Sequence, residues 1–187
     1  MSKEELHLLL NDLGQTQFDG LVVAITFLGE GHLFGLGAIL LSFHSFRAGL
    51  AVAITGLAVL FASALLKHYV FPDFPRPAGF FSENSLRIIS GLEMHKNHSF
   101  PSGHTMAAFG AFSICAFHIR TIGISWLFAF MALAVGLSRV YLNQHFLVDV
   151  VAGAWMGYML SSAVAAWTRR WGADWLNRSW SNLRSDS

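Results

Sequence analysis

Apolar residues run along this chain in long charge-free stretches separated by short polar interruptions. The first stretch covers residues 21–46 and is broken by Gly29-Glu30-Gly31-His32. The second runs from Leu50 to Leu66 and stops at Lys67, and the third begins near Ser102 and ends at Phe117. The fourth is Thr121 to Ser138, and the fifth extends from about Phe146 to Thr168. A helix of about 20 apolar residues crosses the hydrocarbon core of a bilayer. The pattern therefore predicts an all-α, polytopic membrane helix bundle of about five transmembrane spans. Residues 1–12 read differently, because Lys3, Glu4, Glu5 and Asp12 surround Leu6, Leu8, Leu9 and Leu10 without a cleavable apolar core. That pattern predicts a short amphipathic N-terminal helix lying at the interface.

Connections follow from the same reading. Only His118-Ile119-Arg120 joins the third and fourth stretches, so those helices are expected to be antiparallel neighbours. Residues 67–101 form one long connection that holds Pro72, Pro75 and Pro77 and ends on Pro101. Irregular backbone cannot face hydrocarbon with its amides unpaired, so this segment is expected to be a lid or interfacial loop.

Composition narrows the class. Of 187 residues, 54% are hydrophobic and only 12% charged, too apolar for an ordinary soluble fold, and the length suits one domain over residues 1–187. A net charge of +1 without a basic patch gives no sign of a nucleic-acid partner, and nothing in the pattern specifies an oligomer. A single cysteine, Cys115, excludes a disulfide framework and reads as a small buried hydrophobe. Trp155, Trp167, Trp171, Trp175 and Trp180 read as interface anchors.

The polar residues that end the apolar stretches are costly in such a chain and read as a built site. Counting crossings puts Lys67, Arg76, His104, Arg139, His145 and Asp149 on one membrane face. The other face holds Arg47, Arg120, Arg169, Arg170, Arg178 and Arg184, so the positive-inside rule places the C-terminus in the cytoplasm and the site outside. His145 and Asp149 stand at i and i+4, a spacing that lets a carboxylate orient an imidazole. Alone, the pair reads equally well as a helix-start Asp near a chance histidine. Ser102 is a natural N-cap, Gly103 permits close approach to backbone N–H groups, and His104 stands beside them as a proton donor. Lys67, Arg76 and Arg139 supply fixed positive charge suited to phosphate oxygens, although one such residue by itself reads as interfacial snorkelling.

The ordered blocks Lys67…Arg76-Pro77, Pro101-Ser102-Gly103-His104 and Ser138-Arg139-x5-His145-x3-Asp149 resemble the type 2 phosphatidic acid phosphatase superfamily over roughly residues 50–168. That superfamily holds membrane lipid phosphatases and soluble vanadium-dependent haloperoxidases, the latter far longer than this chain. The resemblance implies His145 as nucleophile, Asp149 as its orienting partner and His104 as general acid. It further implies that Lys67, Arg76, Ser102, Gly103 and Arg139 bind the phosphoryl oxygens, with no metal or other cofactor. The expected substrate is a lipid phosphate or pyrophosphate at the periplasmic face of a bacterial-type inner membrane. Two features depart from the family pattern: residues 68–75 make the first block two residues longer than usual, and five spans are read where many bacterial members have six.

Other polar residues compete for attention. His95 and His98, with Glu93, are too loosely spaced for a metal site and read as solvated loop residues. Glu30 and His32 are read as marking the true start of the first span near Gly31, with Glu30 at the site face. A different function class, a small proton-coupled carrier using Glu30, His32 and the His/Asp pair, needs ionisable groups spread through membrane depth.

Overall fold

The computed structural model describes residues 2–82, 85–87, 89 and 92–181, and every regular element among them is helical. Helix α1 (Lys3–Asp12) opens with a capping box: Ser2 Oγ accepts from the Glu5 N–H, and the Glu5 carboxylate accepts from the Ser2 N–H. Helices α2 (Asp19–Thr26) and α3 (His32–Ser42) divide the first apolar stretch, and the chain bends by 61° at the break between them. Gly29 and Gly31 bracket that break, where helix propensity is weakest.

Helix α4 (Phe46–Leu65) begins on Ser45, whose Oγ accepts from the Ala48 N–H at 3.2 Å, and continues into a π-helical turn over Leu66–Val70. It starts before the expected Leu50 because Arg47 can be accommodated at the end of the bundle. The Arg47 guanidinium donates to the carbonyls of Thr168 and Trp171 and to Asn177 Oδ1. There it caps the negative end of α8. The long connection contains one helical turn, α5 (Pro77–Phe80), with proline at the first position where its missing N–H is harmless.

Helices α6 (Gly103–Ile119), α7 (Ile122–Tyr141) and α8 (Leu147–Arg169) complete the bundle. Arg120, in the left-handed region at φ 55°, closes α6 and turns the chain directly into α7. Helix α4 with its π turn, α7 and α8 are each long and apolar enough to cross a membrane, and the bent α2–α3 pair meets the same criteria as one broken span. Helix α6, of 17 residues, is not among these candidate spans and sits at the centre, packed against α4, α7 and α8, so three helices and one bent pair meet the criteria where five spans are read from the sequence.

Close approach of α6 and α8 depends on glycine. A Cβ at Gly153 would meet the Ser102 carbonyl, and one at Gly157 would meet the Met106 carbonyl and, at 2.9 Å, the Gly110 nitrogen. These parallel helices thus touch backbone to backbone, the use that membrane bundles make of small residues. Met106, Ala108 and Ile114 of α6 are fully buried, whereas Trp126, Phe130, Leu133 and Leu137 of α7 face outward. An outer surface this apolar is the lipid-facing side of the bundle.

Helix α1 is docked onto the protein, with His7 and Asn11 buried against the segment that follows α7. An interfacial helix with two polar residues on its inner face finds partners there that lipid cannot supply.

Candidate active site

The turn after α7 presents the first group. Asn143 adopts φ 55°, and the Gln144 N–H reaches back to the Arg139 carbonyl at 3.0 Å, which closes the helix with a left-handed residue that asparagine tolerates. The His145 N–H shares the same carbonyl at 3.2 Å. Arg139 and His145 are therefore tied through backbone as well as placed on one face. His145 precedes α8 and is 1% exposed. Burial, reinforced by Arg76, Arg139, Lys67 and His104, holds its pKa well below the usual imidazole range. The ring is accordingly neutral at physiological pH, with a nitrogen lone pair available.

Asp149 stands behind it, as the i, i+4 spacing predicts, but the direct contact is long: His145 Nδ1 and Asp149 Oδ2 are 3.7 Å apart. Two donors occupy that carboxylate oxygen, the Ser99 hydroxyl at 2.5 Å and the Phe146 N–H at 3.0 Å. Ser99 Oγ is also 3.4 Å from His145 Nδ1. Sequence reasoning passed over Ser99, although it stands just ahead of Pro101-Ser102-Gly103-His104.

Three cations arrive from three elements. Arg76, on the long connection, donates through Nε to the Asn97 carbonyl and through Nη1 to Gln144 Oε1, both at 3.0 Å. Arg139, in the last turn of α7, donates through Nη1 to Thr26 Oγ1 at 2.7 Å, and its buried Nε has no partner among the described residues. Lys67 lies in the π turn, with its Nζ 3.3 Å from where a Gly103 Cβ would be. The Phe71 N–H bonds the Leu66 carbonyl at 2.7 Å across five residues, so the wider turn absorbs extra chain between Lys67 and Arg76 while the lysine still reaches the site. Gln144 and Thr26, which hold the arginines, had no signal in the sequence beyond being polar near apolar runs.

His98 is half-buried, in contrast to the solvated reading. Its Nδ1 is 3.1 Å from the Lys67 carbonyl and its ring is 4.9 Å from that of His68, so it braces the π turn. His95 is exposed and lies 3.7 Å from Glu93. Among the described residues, no three His, Cys, Asp or Glu side chains are grouped as metal ligands.

Ser102 caps α6: its Oγ accepts from the Thr105 N–H at 3.5 Å and lies 2.9 Å from Thr105 Oγ1, while its own N–H donates to the Asp149 carbonyl. Gly103 and His104 form the first turn, where the helix's positive end faces the cations. The break in the first span comes to the same place, since a Gly29 Cβ would stand 2.8 Å from the His104 carbonyl. Glu30 therefore lies at the site end, with His32 Nδ1 3.4 Å from its carboxylate. Between α3 and α4 a groove of about 700 Å³ runs past Phe34, Gly56 and Leu60 to Ser63, Gly103 and His104.

The family model of the PAP2 superfamily matches residues 45–173. The chain belongs to this family. Among solved structures, LpxE of Aquifex aeolicus superposes with a TM-score of 0.76 at 23% identity, covering 87% of this chain and 93% of that one. The transmembrane PAP2-type phosphatidylglycerolphosphate phosphatase of Bacillus subtilis gives 0.71 at 23% identity, covering 90% and 85%. Both likenesses establish the fold as that of membrane PAP2 proteins. The bacitracin transport permease protein BcrC of Bacillus licheniformis is 41% identical over 78 residues, which span 41% of this chain and 36% of that relative.

Proposed function

We propose that this PAP2 protein is a metal-independent phosphatase of lipid phosphates or lipid diphosphates, working through a phosphohistidine at the periplasmic membrane face. The carrying observation is a neutral, buried His145 surrounded by Arg76, Arg139, Lys67 and His104, with a carboxylate behind it. In this reading, Nε2 of His145 attacks phosphorus, and the equatorial oxygens bind Lys67, Arg76, Arg139 and the first-turn groups of Ser102 and Gly103. The bond to the leaving oxygen breaks as His104 gives that oxygen a proton. His104, now neutral, takes a proton from water as the water attacks the phosphohistidine, which returns His145 and releases phosphate.

A lipid substrate suits the groove between α3 and α4, whose apolar walls lead from the bilayer side of the bundle to His104. A carrier suits the molecule less. Among the described residues the buried charged or titratable side chains are His7, Arg76, Arg139, His145 and Asp149, all gathered at one end of the bundle.

The test is phosphate release by purified protein in detergent from phosphatidic acid, phosphatidylglycerophosphate and undecaprenyl diphosphate. At least one is hydrolysed, His145→Ala is inactive though folded, EDTA leaves the rate unchanged and vanadate inhibits. Rates for His145→Ala within about tenfold of wild type remove it as nucleophile, because covalent catalysis needs the attacking atom. Loss of activity in EDTA with recovery on a divalent ion overturns the metal-independent chemistry.

A further inference from the structure

We infer that Ser99 is a positioning residue that carries the orienting effect of Asp149 to the His145 imidazole. This rests on the reading of His145 as nucleophile and adds a third member to the pair behind it. Ser99 is 1% exposed, and its backbone is fixed by donation from its N–H to the Phe74 carbonyl at 2.9 Å. Its hydroxyl has one proton and two lone pairs. The proton goes to Asp149 Oδ2 at 2.5 Å, so the oxygen faces His145 Nδ1 at 3.4 Å as an acceptor. The carboxylate itself is 3.7 Å from that nitrogen, beyond hydrogen-bond range.

The chain Nδ1–H to Ser99 Oγ, and Ser99 O–H to Asp149, selects the tautomer with a proton on Nδ1 and leaves Nε2 bare for attack. Asp149 cannot do this alone from its place at the start of α8, where the Phe146 N–H also claims Oδ2. Among the described residues, the other charged or titratable groups acting on His145 are cations or another imidazole: Arg76 on the long connection, Arg139 on α7, Lys67 in the π turn and His104 on α6. All of them oppose a proton on the ring. The serine–aspartate link is the influence that favours one, and its removal lowers the pKa of His145 further.

The experiment uses the full chain in detergent, with phosphatidic acid and undecaprenyl diphosphate as probes. Ser99→Ala lowers kcat by about tenfold to a hundredfold, the range for losing a hydrogen bond to a charged group, with KM changed by less than about threefold. Ser99→Thr, which retains the hydroxyl, restores most of the rate. Ser99→Cys keeps the volume but weakens the donor, and it loses rate without losing fold. The acid limb of kcat/KM moves to lower pH in Ser99→Ala, a shift that a packing defect does not produce. The double variant Ser99→Ala/Asp149→Asn is no slower than Asp149→Asn alone, because both changes cut one link.

If His145→Ala is inactive while Ser99→Ala and Ser99→Cys keep wild-type kcat and acid limb, the Ser99 inference fails and the phosphatase reading stands. Losses that multiply in the double variant also overturn it, since the serine then acts independently of Asp149. An active His145→Ala removes the nucleophile assignment, and the Ser99 role falls with it.

Discussion

Thr26 Oγ1 accepts a 2.7 Å hydrogen bond from Arg139 Nη1, which joins the end of α2 to the last turn of α7 across 113 residues of sequence. The bent first span thus holds a cation of the site in place as well as enclosing the bundle. It does so in a buried setting, where an arginine without partners is costly.

Thr26→Val keeps the shape and removes the acceptor. The expected result is a fall in kcat/KM of about tenfold to a hundredfold for any phosphate substrate, as for a lost hydrogen bond to a charged group, with Thr26→Ser near wild type. Steady-state kinetics on the wild type and the two variants decides it. Unchanged kinetics in Thr26→Val means Arg139 is positioned by other contacts.

Backbone contact between α6 and α8 gives a paired stability prediction. An added methyl at Gly157 runs into the Met106 carbonyl and the Gly110 nitrogen, whereas among the described residues nothing lies within 4 Å of a Cβ at Gly123. Gly157→Ala is expected to cost at least about 1–3 kcal/mol, the usual overpacking range. Gly123→Ala is expected to leave thermal stability unchanged or slightly raised. Melting curves in detergent that show equal midpoints for the two variants contradict the packing argument.

Docking of α1 is expected to depend on pH through His7. The His7 Nε2–H donates to Asn143 Oδ1 at 3.0 Å, which leaves Nδ1 buried with no partner among the described residues. Burial lowers the His7 pKa below the usual 6.5, and the Asn143 contact offsets this only in part. The undocked helix therefore takes up the proton first. Docking is at full strength above pH 6.5 and weakens as the pH falls from there towards the docked-state pKa. Limited proteolysis near residues 12–15 should accelerate between pH 7 and pH 5 in wild type and stay flat in His7→Gln, where no titration occurs. Equal acceleration in both proteins assigns the effect to other groups.

The proposed sidedness predicts a labelling pattern. With Cys115 replaced by serine, a cysteine at Ser82 on the long connection reacts with a membrane-impermeant thiol reagent in intact spheroplasts. One at Thr121, between α6 and α7, does not. Arg47, committed to carbonyls at the end of α8, reports poorly on orientation, so Arg120, Arg169, Arg170 and Arg178 carry this expectation. The reverse pattern would turn the protein over and limit its substrates to the cytoplasmic leaflet.

Local rules made much of the fold readable. Charge-free runs fix helices because hydrocarbon forbids unpaired backbone, so α4, α6, α7 and α8 fall close to where the apolar pattern puts them. Ser102, Gly103 and His104 were legible for a similar reason: an N-cap and a first turn are defined by neighbours in sequence. The Gly29–Gly31 interruption reads as the start of a span, but in the structure α2 precedes it and the α2–α3 pair bends there by 61°.

Tertiary structure alone decided what those pieces meet. Ser99 between Asp149 and His145, Thr26 on Arg139, Gln144 on Arg76 and His98 on the Lys67 carbonyl are contacts between residues 31 to 113 positions apart. A lone serine, threonine or glutamine carries no periodic signal, and its partner is chosen by how helices pack and where the long connection folds back. The docking of α1 belongs to the same class. Its amphipathic pattern specifies that one face leaves water, but whether that face meets lipid or protein depends on the polar groups of Asn143 and Arg87 waiting across the fold.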